Sequence, residues 1–354
     1  MRAPLRAAGR LAARVVHGRQ PFPKSWAPPV ALMNRIPLLV VSLLLAWLAS
    51  VSPALAAAPK SLSIKDLGLG RPKKPEAVFE PRWSIEAGVI AMSRTGSSSV
   101  VLAETSVPGQ TLNATDPGFG LEWGPYVSLS TRVLNLVEAE IIYFGVYDWS
   151  AGAAMAETGG ITTGVFDTGG TLFDRVDASY TSRFDSVEVN TRYPFLGKLH
   201  WLAGFRWVGL EERSTTMWDG RTSGTDFAFA AGRAKNQLYG AQMGIDGPLW
   251  QPSARLYLDG MVKACVFTNR MSAGRDVDGT MASLAPNGWS DTRAAFLGEL
   301  GLTGRFALTQ NFVLGLGYQL TWIDGVASGF SPLGGQRVSS VLFHGLKATV
   351  ELRW

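Results

Sequence analysis

The last thirteen residues, Leu342 to Trp354, constrain the chain most. Taken with period 2, Leu342, His344, Leu346, Ala348, Val350, Leu352 and Trp354 fall on one side, and Phe343, Gly345, Lys347, Thr349, Glu351 and Arg353 on the other. Every charge from Lys347 onward lies on the second side. Successive side chains of a strand point to opposite faces, so this is a strand with one apolar and one charged face. A soluble edge strand can alternate in this way. An apolar face against lipid, a charged face in a lumen and a final Trp354 in an interfacial aromatic girdle account for the whole pattern.

The same period recurs upstream. Trp83, Ile85, Ala87 and Val89 alternate with Ser84, Glu86 and Gly88; Val137, Ala139, Ile141 and Tyr143 with Glu138, Glu140 and Ile142; Val187, Val189, Thr191 and Tyr193 with Glu188, Asn190 and Arg192. Leu199, Trp201, Ala203, Phe205 and Trp207 oppose His200, Gly204 and Arg206, and Tyr239, Ala241, Met243 and Ile245 oppose Gly240, Gln242, Gly244 and Asp246. Leu256, Leu258, Val262, Ala264 and Val266 oppose Arg255, Tyr257, Asp259 and Lys263. Phe296, Leu300, Leu302 and Phe306 oppose Glu299, Thr303 and Arg305, and Phe312 to Trp322 forms an apolar row opposite Gly315, Gly317, Gln319 and Thr321. Together with a segment at 118–130 this predicts about ten strands, and twelve if the connections at 93–117 or 149–180 hide a hairpin, for which Val100 to Leu102 is a candidate.

The predicted connections alternate long and short: 93–117, 131–133, 149–180, 194–198, 213–233, 248–253, 269–290, 307–311 and 325–340. Outer-membrane barrels have short periplasmic turns and long extracellular loops, and an even strand number leaves both termini periplasmic. A soluble sandwich has no reason to sort its loops by parity. The expectation is an all-β, antiparallel, up-and-down transmembrane β-barrel over 81–354, located in the cell outer membrane.

Residues 1–56 read as a removable N-terminal extension and secretory signal. From Met33, Arg35 supplies the charge, Leu38 to Leu48 the apolar segment and Ala54-Leu55-Ala56 the small-residue cleavage site. Translation starting at Met33 is the sharper reading of the basic stretch before it, which also fits an organelle transit peptide. Residues 57–80, with Lys60, Lys65, Pro72, Lys73, Lys74 and Pro75, read as a periplasmic leader. Seven of the 33 basic residues and none of the 28 acidic ones lie in 1–56, so the mature chain is slightly acidic rather than basic. Nucleic-acid binding therefore has no electrostatic footprint. Forty Gly and a rich aromatic complement (17 Phe, 12 Trp, 8 Tyr) beside 17% charged residues suit a membrane barrel, and the single Cys265 excludes an intramolecular disulfide or a cysteine-based zinc cluster.

Candidate chemistry is sparse. Glu138 and Glu140 share a face and are readable as a general acid and base, or as lumen carboxylates held by basic residues of neighbouring strands; the second reading is preferred. His200 and His344 fall near opposite ends of the barrel, too far apart for one nucleophile-and-base site. Asp276-Val277-Asp278-Gly279 resembles part of a Ca²⁺ loop, but the third ligand position and the closing Glu are missing, so solvated loop charges are expected there, as at Asp219 and Asp226. No catalytic residue, metal or cofactor is expected. The expected lumen charges are Glu138, Glu140, Glu188, Arg192, Arg206, Arg255, Asp259, Lys263, Glu299, Arg305, Lys347, Glu351 and Arg353. They carry both signs, and such charges in a narrow interior must be paired or hydrated. Gly204, Gly240, Gly244, Gly315 and Gly317 on the same side either make room for solute or let large side chains cross.

Three stretches carry a family resemblance: Asn190 to Glu211, containing Leu199-His200-Trp201-Leu202-Ala203-Gly204-Phe205-Arg206-Trp207; Asn236-Gln237-Leu238-Tyr239-Gly240-Ala241-Gln242-Met243-Gly244 with the next strand; and Gly298-Glu299-Leu300-Gly301-Leu302-Thr303-Gly304 continuing through Gly317-Tyr318-Gln319 and Trp322 to Val326. They resemble pore-forming outer-membrane β-barrel proteins related to the Legionella major outer-membrane protein, in their planctomycete-type members. The resemblance spans roughly Arg82 to Trp354 and rests on wall patterns, not chemistry. It implies a pore passing small hydrophilic solutes, with selectivity set by lumen charges. A non-conducting structural or adhesive barrel working through its long extracellular loops is the alternative, and a barrel enzyme comes third. The expected partners are outer-membrane lipid, the barrel-assembly machinery reading Trp354, and small hydrophilic solutes.

Overall fold

A computed structural model of the protein describes residues 81–96, 100–106, 110–134, 137–165, 172–220, 226–279, 284–334 and 338–354. The expected N-terminal extension, signal and leader lie outside the described residues. Ten strands close into a barrel: β1 (Trp83–Gly96), β4 (Glu122–Leu134), β5 (Val137–Thr163), β6 (Phe173–Pro194), β7 (His200–Gly220), β8 (Asp226–Trp250), β9 (Leu256–Gly279), β10 (Leu284–Ala307), β11 (Phe312–Val326) and β12 (Ser339–Arg353). Each pairs antiparallel with its sequence neighbour, and β12 returns to β1 with Leu352 opposite Ile85 and Leu346 opposite Ala91. Closure leaves no open sheet edge through the membrane, the condition a spanning β-structure must meet. The hidden hairpin exists as β2 (Val101–Thr105) and β3 (Thr111–Asn113), but it adds to the far end of β5 through Ala103 to Thr105 and is not part of the closed wall.

The alternation decides which face meets lipid. Trp201, Phe205, Val262, Val266, Leu300, Leu316, Leu346 and Val350 project outward and are exposed, while their strand neighbours Leu202, Arg206, Lys263, Glu299 and Thr349 are buried inside. A continuous outer band of exposed large apolar side chains is intolerable in water and matches the lipid-facing belt of a transmembrane barrel. The protein is therefore an outer-membrane β-barrel. The two ends of the closing seam meet at the short-turn rim: Trp354 O accepts from Arg82 N (2.8 Å) and Trp83 N (2.9 Å), and Trp354 N donates to Trp83 O (3.0 Å). Both indoles are exposed there, as a girdle requires.

Strand lengths depart from the sequence reading. β1, β4, β11 and β12 are 13 to 15 residues long, whereas β5 to β10 run for 21 to 27. Most of the expected loops 149–180, 213–233 and 269–290 are thus strand, paired far beyond the membrane on one side of the barrel. Asp276 and Asp278, expected as solvated loop charges, are exposed, but they stand at the end of β9, where Val277 between them is buried, and not in a loop. The short turn expected at 131–133 is also strand, since β4 runs to Leu134 and β5 starts at Val137.

Along β5 the inward parity switches. Glu140, Ile142, Phe144 and Val146 face the lumen, but the register slips between Val146 and Trp149, where Asp148 has a φ of 64°. This one-residue bulge turns Trp149 inward, and it is fully buried.

Candidate functional site: a stratified lumen

The lumen holds layers of different chemistry. The layer nearest the short turns is charged. Arg192 reaches Glu138 (3.6 Å), Glu140 (3.0 Å) and Asp246 (2.8 Å), which makes Glu138 and Glu140 lumen carboxylates on a shared cation and not an isolated acid and base. On the far wall Arg305 bridges Glu86 (3.1 Å), Asp259 (2.7 Å) and Glu351 (2.9 Å), and Arg353 closes on Glu351 (2.8 Å) and the Tyr257 hydroxyl (2.7 Å). Deeper, a buried quartet forms: Arg206 Nη1 lies 2.8 Å from Glu299 and 3.3 Å from Glu188, and Lys263 Nζ lies 2.8 Å from Glu188 and 3.4 Å from Glu299. Asn190 and Gln242 donate to Glu188 at 3.2 and 2.9 Å. Arg192, Arg305, Lys263, Glu188 and Glu299 line a cavity of about 480 Å³ that reaches the short-turn residues Gln251 and Ala254, while Arg206 lies behind its wall.

Twelve of the thirteen expected lumen charges face the interior; Arg255 does not. It lies in the turn before β9 and is exposed, because the even spacing with Asp259 and Lys263 holds only where the chain is extended, and β9 starts at Leu256. Lys347 stands apart among the cations inside. It makes no ion pair among the described residues and rests with Nζ 4.2 Å from the centroid of the Tyr126 ring. His200 lines the cavity, 3.9 Å from Asp246, whereas His344 is on the outer face, bonded to the Tyr318 hydroxyl at 2.8 Å. The histidines thus occupy opposite sides of the wall.

Above this charged half the lumen is filled with apolar side chains. Phe144, Phe184, Phe343 and Trp149 stack across it with ring centroids 4.8 to 5.5 Å apart, packed among Ile90, Met92, Val208, Leu210, Leu238, Phe267, Leu297 and Ile323. Trp149 Nε1 donates to Met92 O at 2.9 Å, satisfying its one polar group in this dry layer. Glycine makes the filling possible. A Cβ on Gly240 would lie 2.7 Å from Phe267 Cδ1 across the β8–β9 pair, and one on Gly244 would lie 3.1 Å from Lys263 Cγ. At these positions glycine lets large side chains cross instead of leaving space for solute.

A third layer caps the filling. Arg94 rests against the Phe119 and Tyr180 rings (4.8 and 5.0 Å), which meet edge to face, and pairs with Glu212, which also accepts from the Tyr180 hydroxyl. Residues 327–333, expected in an extracellular loop, are instead buried inside the wall. Asn236 Oδ1 accepts from Ala327 N and its Nδ2 donates to Ala327 O, both at 2.8 Å; Ser214 donates to Gly329 O at 2.8 Å; and Gly329 N donates to the Tyr180 hydroxyl at 2.9 Å. The short helix α1 (Ser331–Gly334) ends this segment, whose Phe330 and Leu333 join a second apolar layer with Trp218, Val176 and Val277.

Sequence reasoning missed Glu86, Arg94, Glu212 and Asp246 as lumen charges. Glu86 and Asp246 lay on the lumen side of alternations already visible. Arg94 and Glu212 fell in stretches read as loop and at a strand end, so their parity was not used. Outside the membrane, hydrogen bonds from Arg175 at 2.6 and 2.7 Å hold Asp177 below the usual carboxylate range.

No family model and no curated protein matches the chain. Among solved structures, the outer membrane protease OmpT from Escherichia coli is similar with a TM-score of 0.48 and 8% identity, over 79% of this chain and 99% of that one. The translocator domain of the autotransporter NalP from Neisseria meningitidis gives 0.36 and 11%, over 78% and 90%. The outer membrane protein OprG from Pseudomonas aeruginosa gives 0.27 and 10%, over 77% and 96%.

Proposed function

We propose that this outer-membrane barrel is non-conducting and works at the cell surface as a structural or adhesive element, with the wall of β5 to β10 beyond the membrane as its working face. The observation that carries this reading is the apolar layer across the lumen, centred on Phe144, Trp149, Phe184 and Phe343. A small barrel can be filled by its own side chains, and a filled interior is a core, not a channel. The charged half gives water and ions a way in from the short-turn side only. In this reading the lumen carboxylates are structural, no residue is catalytic, and the partners are outer-membrane lipid and the assembly machinery. Kinship with the Legionella-type barrels enters the proposal through wall pattern alone.

A pore for small hydrophilic solutes is the second reading, favoured by the cavity of about 480 Å³ that reaches the short turns. It requires the ring layer and residues 327–333 to leave the lumen together. Planar-bilayer recording of refolded protein separates the two. Silence across the usual voltage range supports the closed barrel, and stepwise openings of the unmodified protein support the pore.

A further inference from the structure

A second, smaller cavity of about 180 Å³ lies in the capping layer, away from the short turns. It forms where the short strand β1 stops at Gly96 and the taller β6 continues across the lumen. Its walls are the end of β1, the chain leading into β4, Tyr180 of β6 and the inward segment at Ser328 and Phe330.

Arg94 is the polar centre of this cavity. It is 6% exposed, and both of its hydrogen bonds leave from Nη2, to Glu212 and, at 3.3 Å, to the Tyr180 hydroxyl. Nε and Nη1 have no partner among the described residues. Nη1 lies beside Gly96, another lining residue, where an added Cβ would come within 3.2 Å of it. A buried donor without an acceptor is costly, so the cavity must supply one, from water or from a ligand.

The charge of Arg94 is already balanced. Glu212 neutralises it, accepts as well from Tyr180 and from Gly329 N at 3.1 Å, and lies behind the cavity wall. An entering carboxylate or phosphate would put a second negative charge on one buried cation, whereas a neutral acceptor would not. The rest of the lining divides between hydroxyls and rings. Thr95 and Thr115 are exposed, and their side chains make no hydrogen bond among the described residues. Phe119, edge to face with Tyr180 at 5.4 Å, and Phe330 supply an apolar side. Donors on one wall and rings on another match a pyranose, which presents hydroxyls at its edge and C–H groups on its faces. At about 180 Å³ the cavity is smaller than the about 300–1,000 Å³ of drug-sized ligand sites, which limits the occupant to one ring.

We propose that this cavity binds the terminal unit of a neutral glycan, with Arg94 Nη1 donating to a sugar hydroxyl and Phe119 packing on the C–H face. The inference rests on the cell-surface reading only for the source of the glycan, since binding itself does not depend on it.

The test uses the refolded protein in lauryldimethylamine oxide, a detergent without a sugar headgroup, titrated by saturation-transfer difference NMR with the methyl pyranosides of glucose, galactose and mannose. At least one should bind, and its uronic-acid counterpart should bind at least tenfold more weakly, a comparison that needs no variant. Gly96→Ala places a methyl group against Nη1 and leaves the pair with Glu212 in place; it should weaken binding at least tenfold, as should Phe119→Ala. No transfer from any of the three glycosides, equal or tighter binding of the uronate, or undiminished binding by both folded variants would each overturn the proposal. Bilayer recording of the same preparation keeps the two readings apart. A conducting barrel that binds the sugar overturns the closed-barrel reading alone, and a silent barrel that binds none overturns the site alone.

Discussion

Arg206 offers a measurement of how dry the lumen is. Its side chain is fully buried and shares two carboxylates, Glu188 and Glu299, with Lys263, so the quartet is neutral. Arg206→Met keeps most of the volume but leaves two carboxylates on one ammonium. In a dry interior, removing one partner of such a group costs about 3–5 kcal/mol, because the remaining charge is uncompensated. In a water-filled lumen the same ion pair is worth about 0.2–1 kcal/mol. The first case lowers the folding equilibrium constant by two to three and a half decades, since about 1.4 kcal/mol is tenfold. Urea titration of refolded protein in micelles, followed by tryptophan fluorescence, reads the difference as a shift in midpoint. Arg206→Met/Glu299→Gln restores neutrality and should recover more than half of the loss. A single variant within about 1 kcal/mol of the unmodified protein, or a double variant no better than the single, would refute the dry-lumen argument.

The same titration should rank the two lumen lysines, buried Lys263 and half-buried Lys347, differently: Lys263→Met is expected to lose about 3 kcal/mol or more, whereas Lys347→Met, which breaks no ion pair among the described residues, should lose less than about 1 kcal/mol. Gly240→Val drives a branched side chain against the Phe267 ring and the Val266 carbonyl, and is expected to cost at least about 1–3 kcal/mol by overpacking, visible as a lowered midpoint or as failure to refold. Deleting Trp354 removes the three backbone hydrogen bonds at the seam and the terminal aromatic, so the truncated chain should reach the outer membrane at reduced levels. Normal membrane levels on immunoblots of fractionated cells would refute that role.

The membrane-spanning wall was legible because lipid imposes a strict rule on one face. Leu346, Val350 and Leu352 had to be apolar, which left Lys347, Glu351 and Arg353 to mark the lumen. Above the boundary water meets the outer face, and the rule lapses. On β7 beyond Leu210 the outward Glu211, Arg213, Thr215 and Asp219 alternate with inward Glu212, Ser214 and Thr216, so no apolar row distinguishes strand from loop. The same relaxation hid the ladder in the Ala- and Gly-rich half of β5. Ion-pair partners were legible in kind but not in pairing. Arg206 and Glu299 are 93 residues apart and Arg94 and Glu212 118, and only closure of the sheet brings them together. The inward course of 327–333 had no periodic signal at all, since a segment fixed by Asn236, Ser214 and Tyr180 needs backbone groups and not a side-chain pattern.

That segment also has a mechanical consequence. A cylinder of hydrogen-bonded strands is stiff along its axis but can flatten in cross-section, because neighbouring strands hinge about their shared ladder. Residues 327–329 leave the β11 side and are tied to β6, β7 and β8 by Tyr180, Ser214 and Asn236, so they act as a strut between facing walls at the level where four of the ten strands stop. Lateral load on the tall side of the barrel is thereby carried to the short side, and the part standing clear of the membrane keeps its curvature without a closed ring of its own.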